Sequence, residues 1–407
     1  MAWVEKSSRT AWRVRYWKDD GTLGSVSGFS TKTAADQHAA DMESDQRAGT
    51  FIDPAAGKTT VADWVRDWLP AIDVSIRTEE GYRGMLRNHI LLRWGSTALS
   101  AVSGIQVAAW TKELRRRPLA PATVSSILKL FTMIMADAVA ERLIAYNPVQ
   151  PRRRGRAHTT RPSEQIWASP DEVLAIADQA AACYDPYGAM LIVTAAWTGA
   201  RWGELAGLHR DNLHLGDGCV VIDPDVGSLH EGAHGQLWLG PPKNAGSART
   251  ISLPEFLIPL LNWHLHDVDS DFVFVTPDGH WHRRSNFARR CMRPAADGNT
   301  GDLERRAKFT PPRQRLTVLT DPVKPGLTFH GLRHSHKTWM IADLVPEIAQ
   351  SRRLGHILHD KIQQTYSHVA LEVEQRLLEG LQDRWAKAVV NAALDVDNPK
   401  VRYRRLP

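Results

Sequence analysis

Six side chains in the second half of the sequence stand out by their order and local contexts. They are Arg201 in Thr-Gly-Ala-Arg-Trp-Gly-Glu, Lys243 in Pro-Pro-Lys-Asn-Ala-Gly-Ser, His330 and Arg333 in His-Gly-Leu-Arg, His356 in Leu-Gly-His, and Tyr366 in Gln-Gln-Thr-Tyr-Ser-His. Such a set suits an attack on a phosphodiester without a metal. The ester is anionic, and attack on phosphorus adds negative charge to its equatorial oxygens. A guanidinium donates two parallel hydrogen bonds to such oxygens and keeps its charge, so Arg201 and Arg333 are the natural clamp. A tyrosine hydroxyl titrates at roughly 10 in free solution, so Tyr366 must lose its proton as it attacks or sit among cations. The product would be a covalent phosphotyrosine, and the leaving oxygen would need a proton. His330 is the candidate to manage protons and His356 a candidate donor to the phosphate. Glu204 follows Arg201 by three residues and shares its helix side, so it is expected to steady a guanidinium. A plain carboxylate at a helix N-terminus is the alternative for Glu204.

The specificity lies in the combination: His-x-x-Arg, then Leu-Gly-His, then a tyrosine ten positions later. This order resembles the tyrosine recombinase family of phage-type integrases, over essentially the whole chain and most densely from Trp197 to Val369. The resemblance implies an enzyme that cleaves and rejoins DNA through a 3′-phosphotyrosine intermediate, with no metal, ATP or other cofactor. It implies site-specific recombination that integrates or excises a phage or other mobile element. Partners implied are double-stranded DNA attachment sites, three further copies in a tetramer on that DNA, an excisionase-type directionality factor and a host DNA-bending protein. The family carries its general-acid lysine on a β-hairpin. Lys243 matches that place, between strand-like segments 236–239 and 248–253, although family members often read Lys-Thr where this chain has Lys243-Asn244. Two other readings fit parts of the pattern: a type IB topoisomerase, which uses a similar set, and a non-catalytic DNA-binding regulator. The separate N-terminal segment favours the recombinase over the first, and the complete set speaks against the second.

Other motifs are decoys. His230-Glu-Gly-Ala-His234 matches the His-Glu-x-x-His of zinc hydrolases, which needs both histidines on one helix face. Glycines at 227, 232 and 235 and Pro224 make a hairpin loop the better reading, so no metal is expected. Gly57-Lys-Thr59 imitates the end of a phosphate-binding loop, but Ile52 stands where that loop requires glycine. His334, His336 and His359 crowd the candidate site and are expected to be structural or close to DNA.

The elements that would position the set follow from patterning. With 407 residues, two or three domains are expected. A net charge of +6 permits a nucleic-acid partner without requiring one. Three scattered cysteines argue against a disulfide framework and fit a reducing cytoplasm. Neither a signal-peptide core nor an uninterrupted apolar run of membrane-spanning length is evident. The expected fold is mostly α with small β-sheets, arranged as a three-domain DNA clamp.

Residues 1–54 read as a small sheet and helix, with strands 12–17 and 23–29 and with Arg13 and Arg15 on a basic face. This segment resembles the arm-site-binding domain of many integrases. A linker is expected at 49–58. Residues 58–150 read as a four-helix bundle that looks like the family's core-binding domain, capped at Thr60 and Ser103. A basic linker with Arg152, Arg153 and Arg154 follows, and it would pass close to phosphates. The catalytic domain is expected at 164–390, opening on a helix capped at Ser169, with a mobile insertion at 295–326. Its last helix carries Leu377, Leu378, Leu381, Trp385 and Val389 on one stripe and is a candidate for packing on a neighbouring copy. A basic tail spans 391–407.

Overall fold

The computed structural model describes residues 2–18, 21–149, 164–232, 235–299, 318–356, 369–395 and 403–405. The chain divides into two compact units, 1–159 and 160–407. The architecture is mostly helical, with small antiparallel sheets.

In the first unit, β1 (Ala2–Ser8), β2 (Ala11–Trp17) and β3 (Leu23–Phe29) form an antiparallel sheet in that order. Alternation along β2 buries Val14 and Tyr16 against Ala35, Ala39 and Met42 of α1 (Lys32–Ala48). Arg13 and Arg15 take the other parity. The first strand was not anticipated, and it changes that basic face: Glu5 on β1 ion-pairs with Arg13 at 3.0 Å and Arg15 at 3.1 Å. The expected linker at 49–58 is docked rather than free. Asp53 accepts from the Tyr16 hydroxyl and lies 3.2 Å from Lys18 Nζ, Phe51 packs edge-on to Tyr16, and Ser100 Oγ donates to the Gly57 carbonyl at 2.8 Å.

The rest of this unit is helical. Thr60 caps α2 (Val61–Ala71) by accepting from the Asp63 N–H, and α3 (Ile76–Met85) continues through a π-turn into α4 (Leu91–Trp94). Ser103 and Gln106 cap α5 (Gly104–Arg116) reciprocally, and α6 is Pro121–Ala140. Trp94, Trp110 and Phe131 pack as a ring cluster within the bundle core, with centroids 5.6–5.9 Å apart. By length and composition α6 is long and apolar enough to cross a membrane, although Lys129 and Asp137 interrupt its apolar run. Its apolar side, including Ile127, Phe131 and Ile134, is the centre of the bundle.

The second unit is built round α8 (Pro186–Thr198), which follows α7 (Pro170–Cys183). Ser169 and Glu172 cap α7 reciprocally. Ten consecutive-to-near positions of α8, from Gly188 to Thr198, are buried, as expected of a helix covered on every side. Next come α9 (Trp202–Ala206), β4 (Leu213–His214), β5 (Cys219–Ile222), β6 (Ser228–Glu231), β7 (Leu237–Gly240) and β8 (Arg249–Ser252). Sheet pairing corrects one expectation. β7 pairs with β6, whereas β8 pairs with β5, so the strands flanking Lys243 belong to different sheets and do not form a hairpin about it. His230 lies in β6 and Gly232 in the following turn, not on a helix. His234 is outside the described residues.

The unit continues with α10 (Leu257–Asp267), α11 (Arg284–Phe287), α12 (Arg293–Asp297), β9 (Val318–Thr320), α13 (Phe329–Ala342), α14 (Glu347–Leu354), α15 (Leu371–Asp395) and β10 (Tyr403–Arg405), which pairs with β9. The insertion expected at 295–326 is narrower: Ala295, Ala296 and Asn299 are buried, and Asn299 bonds across to Val318 and Thr320. Residues 300–317 of that segment are outside the described residues. Part of the apolar stripe of α15 packs on its own unit. Leu377 and Leu381 enter the core, Trp385 stacks on Phe256 at 4.1 Å, and Trp197 donates to the Leu381 carbonyl. Val389 is turned outward, and the helix runs past the boundary expected at 390.

Candidate active site

Arg201 stands at the N-cap of α9, just after Gly199, which ends α8 in the left-handed conformation (φ 67°). A β-carbon at Gly199 would come within 2.7 Å of the buried His336 ring, so only glycine fits there. The α9 helix also lies close on β6, because Gly203 and Gly207 present no side chain to Ser228 and Leu229. Arg201 Nη1 donates to Glu204 Oε1 and to Ser247 Oγ, both at 2.8 Å, and Nη2 donates to the Gly355 carbonyl at 3.1 Å.

Arg333 comes from the middle of α13 and is buried. Its Nη1 donates to the Gly199 carbonyl at 2.6 Å, and its Nη2 donates to the Leu354 carbonyl and, at 3.0 Å, to His356 Nε2. Burial and the Arg201 and Arg249 charges push its guanidinium down to about 9, still protonated at neutral pH. Among the described residues, each arginine thus commits three of its five N–H groups to the protein and keeps two. His356 accepts from Arg333 through Nε2, which leaves the proton on Nδ1. Burial and the Arg333, Arg201, Lys337 and Arg249 charges press its ring down to about 4. His330, one turn before Arg333, packs edge-on to His334 at 4.9 Å. Partial burial, His334 and the nearby arginines also push it down to about 4. Both rings are therefore neutral at pH 7.

Glu204 is 1% exposed and accepts four hydrogen bonds: from the Arg201 N–H (2.9 Å), Arg201 Nη1 (2.8 Å), Arg249 Nη1 (3.2 Å) and Arg249 Nη2 (2.9 Å). Burial alone would raise its carboxyl, but the Arg249 and Arg201 bonds hold it below the ordinary carboxylate range. Arg249 was missed in the sequence. Besides Glu204 it bonds the carbonyls of Ser247 (2.6 Å) and Arg353 (2.7 Å), so it ties α9, the segment after Lys243 and the end of α14 together. Its signal was parity: Arg249 shares the inward face of β8 with the buried Ile251. Arg353 was missed as well. It is buried and donates to His336 Nε2 (2.9 Å) and to the carbonyls of Ser252 and Trp197, while His336 Nδ1 donates to the Ala196 carbonyl (2.9 Å). That makes His336 structural.

The structure brings Arg201, Arg333 and His356 together, with Glu204 beneath them and His330 alongside. Lys243 is exposed on the segment between β7 and β8 and makes no hydrogen bond or ion pair among the described residues. Ser247, at the other end of that segment, bonds Arg201. Tyr366, His359, Arg152, Arg153 and Arg154 are outside the described residues. Arg13 and Arg15 belong to the first unit.

The chain is 29% identical over 266 residues to a protein of prophage phiRv2 of Mycobacterium tuberculosis (strain H37Rv) named as an integrase; the match covers 63% of this chain and 66% of that one. It is 26% identical over 247 residues to the integrase of Mycobacterium phage L5, covering 59% and 63%. Its fold is similar to that of the Tn1549 transposon integrase, solved with circular intermediate DNA (TM-score 0.58, 15% identity, 79% of this chain and 100% of that one). It is likewise similar to lambda integrase, solved as a tetramer on a Holliday junction (TM-score 0.51, 15% identity, 90% and 98%). The phage integrase family model matches residues 167–372, just over half of the chain and the whole of the arginine and histidine cluster, and the chain belongs to the phage integrase family.

Proposed function

We propose that the chain is a site-specific DNA recombinase that integrates or excises a phage or other mobile element. The observation that supports this reading is the convergence of Arg201, Arg333 and His356 on one spot, each arginine keeping two uncommitted N–H groups. Those four donors take the non-bridging oxygens of the scissile phosphate, and His356 Nδ1 adds a fifth. The Tyr366 oxygen attacks phosphorus as the bond to the 5′ oxygen breaks. Neutral His330 takes the tyrosine proton, and Lys243 supplies one to the leaving oxygen. Attack by a 5′ hydroxyl on the phosphotyrosine reverses these transfers and rejoins a strand, so the linkage conserves the energy for religation. Anionic phosphate also stabilises the imidazolium that His330 becomes on taking that proton, offsetting the burial and neighbouring cations that disfavour it.

In this reading residues 1–54 bind arm-type DNA, 58–150 hold the core site, and 164–390 carry the chemistry. The lambda integrase tetramer on a Holliday junction and the DNA-bound Tn1549 integrase support four copies acting on duplex attachment sites; in this reading they act in the cytoplasm, with a directionality factor and a host bending protein as further partners. The test uses nicked suicide duplexes drawn from the DNA flanking the gene, run on denaturing gels. The natural protein should give a denaturation-resistant adduct, and Tyr366→Phe should give none while still shifting the same duplex. An adduct with the Phe variant would remove Tyr366 as nucleophile.

A further inference from the structure

The outward arc of α13 carries a positive charge that the clamp does not use. His330, His334 and Lys337 recur at helical spacing on this arc, while Phe329, Leu332, Ser335, His336, Trp339 and Met340 face inward. Arg333 sits at the border of the two faces. No residue of Phe329–Ala342 is acidic, and Asp343 just beyond is committed to Arg384. Lys337 is half-buried and has no hydrogen bond or ion pair among the described residues. It follows Arg333 by four residues and His334 by three, so all three lie on adjoining turns. Its charge is also felt at His356, across the cleft on the turn after α14. A partly desolvated ammonium among an arginine and two histidines, with no carboxylate paired to it among the described residues, is an arrangement that an anion completes.

We propose that Lys337, with His334 beside it, forms a second phosphate subsite that takes a backbone phosphate neighbouring the one clamped by Arg201 and Arg333. The inference rests on the DNA-cleaving function proposed above. Four residues along a helix advance about 6 Å, which is one to two nucleotide rises of about 3.4 Å along a DNA strand. The flexible lysine stem covers the remaining offset, and a point charge suits a phosphate that must be held without being reshaped.

The test measures binding of the full chain to a 40-base-pair duplex of random sequence (about four helical turns) by fluorescence anisotropy between low and moderate KCl. Lys337→Gln should weaken binding and reduce the slope of log affinity against log salt by about 0.9, the loss of one phosphate contact. Lys337→Arg should restore both, and urea unfolding should be the same for all three proteins. An unchanged slope in Lys337→Gln, with salt-dependent binding by the natural protein, would overturn this inference alone. So would an Arg variant as weak as the Gln variant. Absence of salt-dependent binding by the natural protein would overturn the DNA-cleaving function and this subsite with it.

Discussion

Replacing Glu204 by glutamine keeps the shape of the side chain and removes a buried negative charge under the clamp. Four donors converge on its two oxygens, two from Arg201 and two from Arg249. Glutamine offers one oxygen and one NH2, so two of those donors would face another donor. Two guanidiniums would also lose their shared counter-charge, one of them almost wholly buried, with a side chain 7% exposed. Breaking a buried pair from one side typically costs about 3–5 kcal/mol, most of it from the charge left behind. For a unit of this size each kcal/mol lowers the melting temperature by about 2–4 °C, so Glu204→Gln should melt about 6–20 °C lower. Urea unfolding followed by tryptophan fluorescence would report it, because Trp197 and Trp339 lie in the same core. Glu204→Gln on an Arg249→Met background should cost much less than on the natural one. A loss below about 1 kcal/mol in the single variant, or equal losses on both backgrounds, would refute the view that this carboxylate anchors the two arginines.

Three further outcomes are expected. Arg201→Lys and Arg333→Lys should each lose most of the adduct formed on a suicide duplex, because an ammonium cannot replace the fork that holds the protein on one edge and phosphate on the other; near-normal cleavage by either would remove it from the clamp. Burial and Arg353 hold His336 well below its ordinary value, and His330 and His356 are pushed down to about 4. Between that pH and about 6.5 the unfolded chain therefore binds more protons than the folded one, so stability should fall as pH drops through this window and be unaffected above it; equal urea midpoints at neutral pH and at about pH 5 would contradict this. Deleting residues 1–54 should leave adduct formation on core-site DNA intact while abolishing the extra affinity for arm-containing DNA, compared by gel shift at one salt concentration; an equal loss on both DNAs would make the segment a structural cap.

What could be read from the sequence was local. The helix starts at Thr60, Ser103 and Ser169 depend on residues three positions apart, and the candidate set stood out by its contexts. Partnerships across long separations were not legible. The strands on either side of Lys243 look alike, and only pairing of Cys219–Ile222 with Arg249–Ser252 separates them into two sheets. Arg249 reads as a surface arginine until Glu204, 45 positions earlier, is seen to accept from it. Gly49–Lys58 has the composition of a linker, and what docks it is a set of polar bonds from Tyr16, Lys18 and Ser100 that hydrophobic patterning does not reveal.

The two glycines that end α8 and α14 have a consequence for how the arginines behave as a pair. Gly199, adjacent to the Arg201 segment, offers its carbonyl to Arg333, and Gly355, adjacent to His356, offers its carbonyl to Arg201. Both helices also direct the negative ends of their dipoles at these guanidiniums. Each arginine is thus fixed by the stretch of chain that presents the other half of the site, like two beams braced on each other's footings. Damage at one end slackens the other, so the penalties of separate lesions overlap instead of adding. Selection on such a site acts on the pair as one character: once one arginine is lost, little is left to preserve the second.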